Sequence, residues 1–180
     1  MEKSHKALLI IDMQRDYIEE GAPMEVPAGR WIVENIAGEI RYAREKGRPI
    51  IFICQSHEKD DPEFEVRPSH AVKDTPGAEV IDALEPQAGD NLVYKNGYSG
   101  FFRTDLEKIL DELDIDEVFI TGVATNTCVL YTAMDAVQRG FGVIVPGPCV
   151  AALTEEDHNF ALRQINEVLK FGSKEEKESD

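Results

Sequence analysis

Little in this sequence suits a secreted, membrane-bound or nucleic-acid-binding protein. Only three cysteines, Cys54, Cys128 and Cys149, stand in 180 residues. They form an odd set without the spacing of a zinc ribbon or a CxxC redox pair, which fits a reducing compartment. Basic side chains are scarce, with 19 Lys and Arg against 35 Asp and Glu and a formal net charge of −16. Binding to a phosphate backbone depends on clustered Lys and Arg, so no nucleic-acid partner is expected. The first apolar run is too short for a signal h-region or a membrane span. The expected location is the cytoplasm, with no membrane contact.

What is present is an alternation of apolar runs with helical patterns. A 42% hydrophobic content in a chain of this length suits one domain with a sizeable core. That domain is expected over residues 1–172, with 173–180 a charged, disordered tail. Residues 7–11 read Ala-Leu-Leu-Ile-Ile, the continuous apolar run of a strand buried on both faces. Further strands are expected at 50–54, 92–95, 118–120 and 143–145. Helical spacing runs through Ile32, Val33, Ile36, Ile40 and Ala43, and Gly47-Arg48-Pro49 closes it. Other helices are expected at 78–84, at 105–113 behind Thr104, from about Cys128 to Gly140, and after Thr154, where Asp157 makes a near capping box. Residues 55–77 carry three prolines and read as a long loop, a type that usually serves function. The fold class is α/β, a three-layer α/β/α domain around a mostly parallel sheet of five strands, a sixth left open.

Open parallel sheets do their chemistry at the carboxyl ends of the strands. Three of those ends carry ionisable groups: Asp12, Lys95 and Cys128. An ionisable residue closing an apolar run costs desolvation energy unless it is paired or does chemistry. Cys128 alone fits a buried packing thiol as well as a nucleophile. A nucleophilic role needs a lowered thiol pKa, which Lys95 and a helix N-terminus would supply. Asp12 would then shuttle the proton, and backbone N–H groups around Ala124 and Cys128 would hold an oxyanion. The chemistry implied is acyl transfer through a thioester.

Three stretches carry a resemblance. Leu-Ile-Ile-Asp-Met-Gln-Arg-Asp-Tyr at 9–17, Lys-Asn-Gly-Tyr-Ser-Gly-Phe at 95–101 and Thr-Gly-Val-Ala-Thr-Asn-Thr-Cys-Val at 121–129 resemble the signatures of the isochorismatase-like cysteine hydrolases. That family has a Rossmann-like fold and includes nicotinamidases and N-carbamoylsarcosine amidases. The resemblance implies a catalytic triad of Asp12, Lys95 and Cys128. It also implies a cis peptide at Val123–Ala124 that orients the amides of Ala124 and Cys128 as the oxyanion hole.

Departures from the family pattern bear on substrate. Where nicotinamidases carry a metal-binding Asp-x-His, this chain has Gln55-Ser56-His57, followed by His70. Gln55 is a weak neutral ligand, so the resemblance leaves zinc or another divalent metal on His57 and His70 open against a hydrogen-bonding role for both. The cysteine chemistry needs no cofactor. Pro148-Cys149 stands where relatives commonly have Asp-Ala, so Cys149 is expected to pack. Tyr17, Tyr98, Phe101, Val123, Thr127 and Tyr131 are expected near the pocket, with core packing the alternative for Phe101 and Tyr131. Arg67 is expected to pair with Glu63 or Glu65. Relatives add a sixth strand after the last helix, and Phe171-Gly172 leaves it little room, so a dimer or tetramer covering the sheet edge is expected.

The leading expectation is hydrolysis of the C–N bond of a small amide or carbamoyl compound. An ether hydrolase of the isochorismatase type is the alternative, and such members do not need the cysteine. A flavodoxin-like binding module would want a glycine-rich phosphate turn after the first strand, which Asp12-Met-Gln-Arg-Asp is not. A redox role for Cys128 would need Cys54 or Cys149 to approach it.

Overall fold

A computed structural model describes residues 5–169. Six strands build one sheet: β1 (Lys6–Ile11), β2 (Ile50–Gln55), β3 (Asn91–Lys95), β4 (Glu117–Val123), β5 (Gly142–Ile144) and β6 (Val150–Ala151). Their order is β3-β2-β1-β4-β5, and β6 pairs with the far end of β4. Every pairing between named strands is parallel. The sixth strand lies before the last helix, where the short apolar pair Val150–Ala151 follows Pro148-Cys149. Phe171, Gly172 and the tail at 173–180 lie outside the described residues.

The apolar runs form strands because both faces are covered. Ala7, Leu9 and Ile11 of β1 join one core, and Leu8 and Ile10 join the other. The first core packs against α3 (Leu106–Glu112) and α4 (Leu130–Gln138) through Leu106, Leu110, Ala133 and Ala136. The second is covered by α2 (Val33–Glu45), whose Ile36 and Ala43 face inward. Residues alternate along each strand, so one continuous apolar run feeds two layers.

Helix boundaries follow local capping. The Thr154 hydroxyl accepts from the Asp157 amide and opens α5 (Glu155–Arg163). The Thr104 hydroxyl accepts from Leu106 N–H at the start of α3. Two expectations are corrected. Residues 78–84 form no helix but two separate 3₁₀ turns, Pro76–Ala78 and Asp82–Leu84, because Glu79–Ile81 is extended and Ile81 N–H bonds back to the Met13 carbonyl. The helix expected from Cys128 begins instead as a wide π turn, Thr125–Val129, that runs on into α4.

Candidate active site

The carboxyl ends of β1, β3 and β4 converge. Asp12 follows β1 with φ +51, a left-handed conformation in which a short acidic side chain is tolerated. Its amide still bonds the Ile53 carbonyl at 2.9 Å, so the turn is anchored to β2. Gly122 of β4 lies beside Ile11 with φ +109, and a Cβ there would overlap the Ile11 backbone. Glycine is therefore what lets the two strand ends close on each other.

Lys95 ends β3 with its side chain fully buried. Its Nζ donates to Asp12 Oδ2 at 2.9 Å and to the Gly97 carbonyl at 3.1 Å, and it lies 3.5 Å from Cys128 Sγ. A further donation goes to Gln55 Oε1. Burial disfavours the ammonium, but the charges of Asp12 and Cys128 and the hydrogen bonds to them outweigh it and hold Lys95 above the ordinary lysine range. Among the described residues, Asp12 Oδ1 is buried and has no hydrogen-bond partner. A buried carboxylate oxygen without a donor is a ready proton acceptor.

The Cys128 thiol departs from expectation. Burial first, and then the Asp12 charge, push it up to about 12, and Lys95 only partly opposes them. At neutral pH the resting group is a thiol. Cys128 as a residue is partly exposed, and the peptide Val123–Ala124 that leads into its turn is cis. Thr127 and Val129 N–H groups both bond the Ala124 carbonyl, which pins the turn below the sulfur. From the far side, His158 of α5 meets the Thr125 hydroxyl at 2.9 Å.

Four rings wall one side of the site. Tyr17 packs edge-on against His70 at 5.7 Å, His70 meets Phe64 at 5.6 Å and His57 at 4.8 Å, and His57 lies 5.4 Å from Phe64. Burial, with the charges of Asp12, Cys128, Glu63 and Asp16, raises the Tyr17 phenol, so it stays a donor facing the acidic centre. Tyr98 and Tyr131 pair at 5.7 Å and are both exposed. Arg67 donates to the Tyr98 hydroxyl at 3.1 Å and pairs with Glu63 at 3.3 Å. Phe101 belongs to the core instead of the pocket: it stacks on Phe141 at 5.9 Å. Cys149 is buried within the second core.

The loop after β2 is folded by a bridge within it and by polar side chains that follow β1. His57 pairs with Val72 as a parallel bridge, and the Asp16 carboxylate receives the Ala71 amide at 2.8 Å. Gln14, fully buried, bonds both the Gln55 carbonyl and amide at 2.8 Å and reaches the Ala78 carbonyl at 2.7 Å. Gln14 and Asp16 lie within the quoted 9–17 stretch, and a buried amide beside a strand end was the available signal. A cavity of about 820 Å³ lined by Cys54, Ser56, Lys73 and Tyr94 includes none of Asp12, Lys95 and Cys128. Gln55, which bonds Lys95, is among its lining residues.

Open parallel sheets hold their ligands at the strand carboxyl ends, where this domain gathers a carboxylate, an ammonium and a thiol. The chain belongs to the isochorismatase family, whose domain it matches over residues 6–175. It is 34% identical to a probable inactive nicotinamidase of Arabidopsis thaliana, over 90% of this chain and 88% of that one. A pyrazinamidase of Pyrococcus horikoshii, solved in complex with zinc, matches with a TM-score of 0.87 and 34% identity, covering 95% of this chain and 98% of its own. An N-carbamoylsarcosine amidase from Thermoplasma acidophilum matches with a TM-score of 0.83 and 31% identity, covering 97% and 99%. No helix among the described residues is long and apolar enough to cross a membrane.

The zinc-bound relative raises the question of a metal here. His57, Asp61 and Glu63 bring ligand atoms within 4.8 Å of one another. Their hydrogen bonds are already committed. Lys95 has only protons to give, so the amide of Gln55 turns its oxygen to Lys95 and its NH₂ to His57 Nε2 at 3.0 Å. Nε2 must then accept, and the ring proton sits on Nδ1, which donates to Asp61 at 2.9 Å. That bond, with the Glu63 amide, holds the Asp61 carboxyl below the usual range. A cation on Nε2 evicts the Gln55 amide. A cation on Nδ1 sends the ring proton to Nε2, against the amide NH₂, and reversing the amide sets that NH₂ against the Lys95 ammonium. The expected pair of His57 and His70 does not fit a shared cation while Lys95 is held and the Gln55 amide stays on His57, although His70, whose Nδ1 donates to the Pro68 carbonyl at 2.7 Å, keeps Nε2 as an acceptor.

Proposed function

We propose that this protein hydrolyses the C–N bond of a small amide or carbamoyl compound through a thioester on Cys128. The observation that carries the reading is the buried Lys95 ammonium, 2.9 Å from Asp12 and 3.5 Å from the Cys128 sulfur. Lys95 spends its donors on oxygens at rest, and the sulfur keeps its proton. When a substrate carbonyl is in place, the thiol proton passes to Asp12 Oδ1. Neutralising Asp12 loosens its hold on Lys95, whose N–H is then free for the developing thiolate.

Sulfur adds to the carbonyl carbon, and the oxyanion lies against the amides of Ala124 and Cys128, a contact worth on the order of 3 kcal/mol per donor. Asp12 returns the proton to the nitrogen, the C–N bond breaks, and ammonia or an amine leaves. Water, deprotonated by the same carboxylate, cleaves the thioester and restores the thiol. The ring wall of Tyr17, Phe64 and His70 suits a small planar substrate, and Arg67 at the Tyr98 rim suits one that carries a carboxylate. The working compartment on this reading is the cytoplasm.

Ammonia release across nicotinamide, pyrazinamide, N-carbamoylsarcosine and ureido acids tests the reading, wild type beside Cys128→Ala. Turnover that the variant loses supports it. A silent panel together with a Cys128 thiol inert to iodoacetamide at neutral and alkaline pH rejects it.

A further inference from the structure

We infer that Gln55 is a positioning residue that ties Lys95 to the 55–77 loop, and that this tie, not a bound cation, organises His57. Five groups form one chain of hydrogen bonds. Asp61 accepts from His57 Nδ1, His57 Nε2 accepts from the Gln55 amide, Gln55 Oε1 accepts from Lys95, and Lys95 donates onward to Asp12. Each link fixes the polarity of the next, because the ammonium has no acceptor and the carboxylates have no donor.

Gln55 is also held from behind. Its backbone amide and carbonyl are both taken by the Gln14 side chain, and in the sheet it stands opposite Lys95. The side chain therefore reaches Lys95 and His57 from a backbone that cannot slide. It is 6% exposed, and His57 is 1% exposed, so water does not compete for these bonds. Turning the buried Gln55 amide would break both of its bonds, to Lys95 and to His57, and leave their partners unmatched. The consequence reaches substrate: the site on this inference selects a planar amide by rings and hydrogen bonds, without a cation on His57.

The inference rests on the proposed function only in treating Lys95 as part of the chemistry, and two of its three tests need no turnover. The first is the ¹⁵N spectrum of the His57 ring in the wild-type protein at neutral pH. A proton on Nδ1 is expected, and one on Nε2 overturns the chain. The second is equilibrium dialysis against zinc chloride, the ion alone. Wild type should take up no zinc that His57→Ala loses. Gln55→Asp, too short to span both partners and without an N–H, should gain about one equivalent that a second change, His57→Ala, removes. Wild-type uptake that depends on His57, or no gain in Gln55→Asp, overturns the inference. The third is turnover of Gln55→Met, which keeps the length and apolar stem. Its kcat should fall about tenfold or more with KM within about twofold, because Lys95 is misplaced and not removed. An unchanged kcat overturns the positioning role. If the wild type is silent on every amide, that result counts against the proposed function, and the tie is judged on the ring spectrum and zinc uptake.

Discussion

Lys95 Nζ stands 2.9 Å from Asp12 Oδ2, and both side chains are almost wholly removed from solvent. A charge pair this deep is stable only as a pair, because either partner alone would be an uncompensated buried charge. Asp12→Asn keeps the shape and removes the charge and the proton acceptor. It should cost about 3 kcal/mol of stability, and lower kcat/KM by roughly 10²–10⁴. Urea denaturation beside ammonia release separates the two effects. A variant that is destabilised yet turns over within about tenfold of wild type would remove Asp12 from the proton transfer.

The three thiols set an alkaline limit on the fold. Burial raises Cys54 and Cys128 to about 12 and Cys149 to about 11, from an ordinary value of 9.0. The folded state therefore holds protons that the unfolded chain gives up first. Their stabilisation is complete below pH 9.0 and is lost as pH rises through about 11 to 12. Thermal midpoints should be flat up to pH 9 and fall above it, and Cys128→Ala should blunt the fall.

The same thiols should differ in access. Cys128 is partly exposed, whereas Cys54 and Cys149 are 2% and 3% exposed. Iodoacetamide should label Cys128 first, slowly at neutral pH and faster as pH rises. Peptide mass spectrometry reads the order, and labelling of Cys54 ahead of Cys128 would contradict the packing.

Gly122→Ala should fold poorly or not at all. Its φ of +109 is unfavourable for any side chain, and the added Cβ would collide with the backbone of Ile11, not with a side chain able to move. The loss should exceed about 3 kcal/mol, seen as insoluble expression or a collapsed melting transition.

Thr154→Ala is the contrasting case. It removes the hydroxyl that accepts from the Asp157 amide at 3.1 Å and opens α5. The expected cost is about 1 kcal/mol, with turnover close to wild type, since the hydroxyl touches none of Asp12, Lys95 and Cys128. Differential scanning calorimetry and the ammonia assay check both halves.

The order of strands and helices was legible because parallel strands buried on both faces must be apolar throughout. The runs 7–11 and 50–54 could hardly be anything else. Asp12 and Lys95 were legible for the same reason, as charges closing runs that tolerate none, and Cys128 from its place in the turn after β4. Thr154 announced its helix through a local hydrogen bond that needs only three residues. The 78–84 segment misled because its apolar spacing is helical, while Ile81 is claimed by Met13, far away in the chain.

What only the folded chain decided is the state of the charges and the meaning of Gln55. A thiol next to a lysine and a helix start reads as acidic, yet burial and Asp12 outweigh the lysine, and burial is a property of the assembled core. Phe101 lies beside the Lys95 segment in sequence but faces Phe141 across the other layer. Gln55 read as a lost metal ligand because an amide has no fixed role until its neighbours are known. Lys95 from the next strand and His57 from the loop supply them, and with a donor on one side and an acceptor on the other the amide has one orientation. Local hydrogen bonds and buried apolar runs were written in the sequence; the direction of each proton was set by residues that meet only in three dimensions.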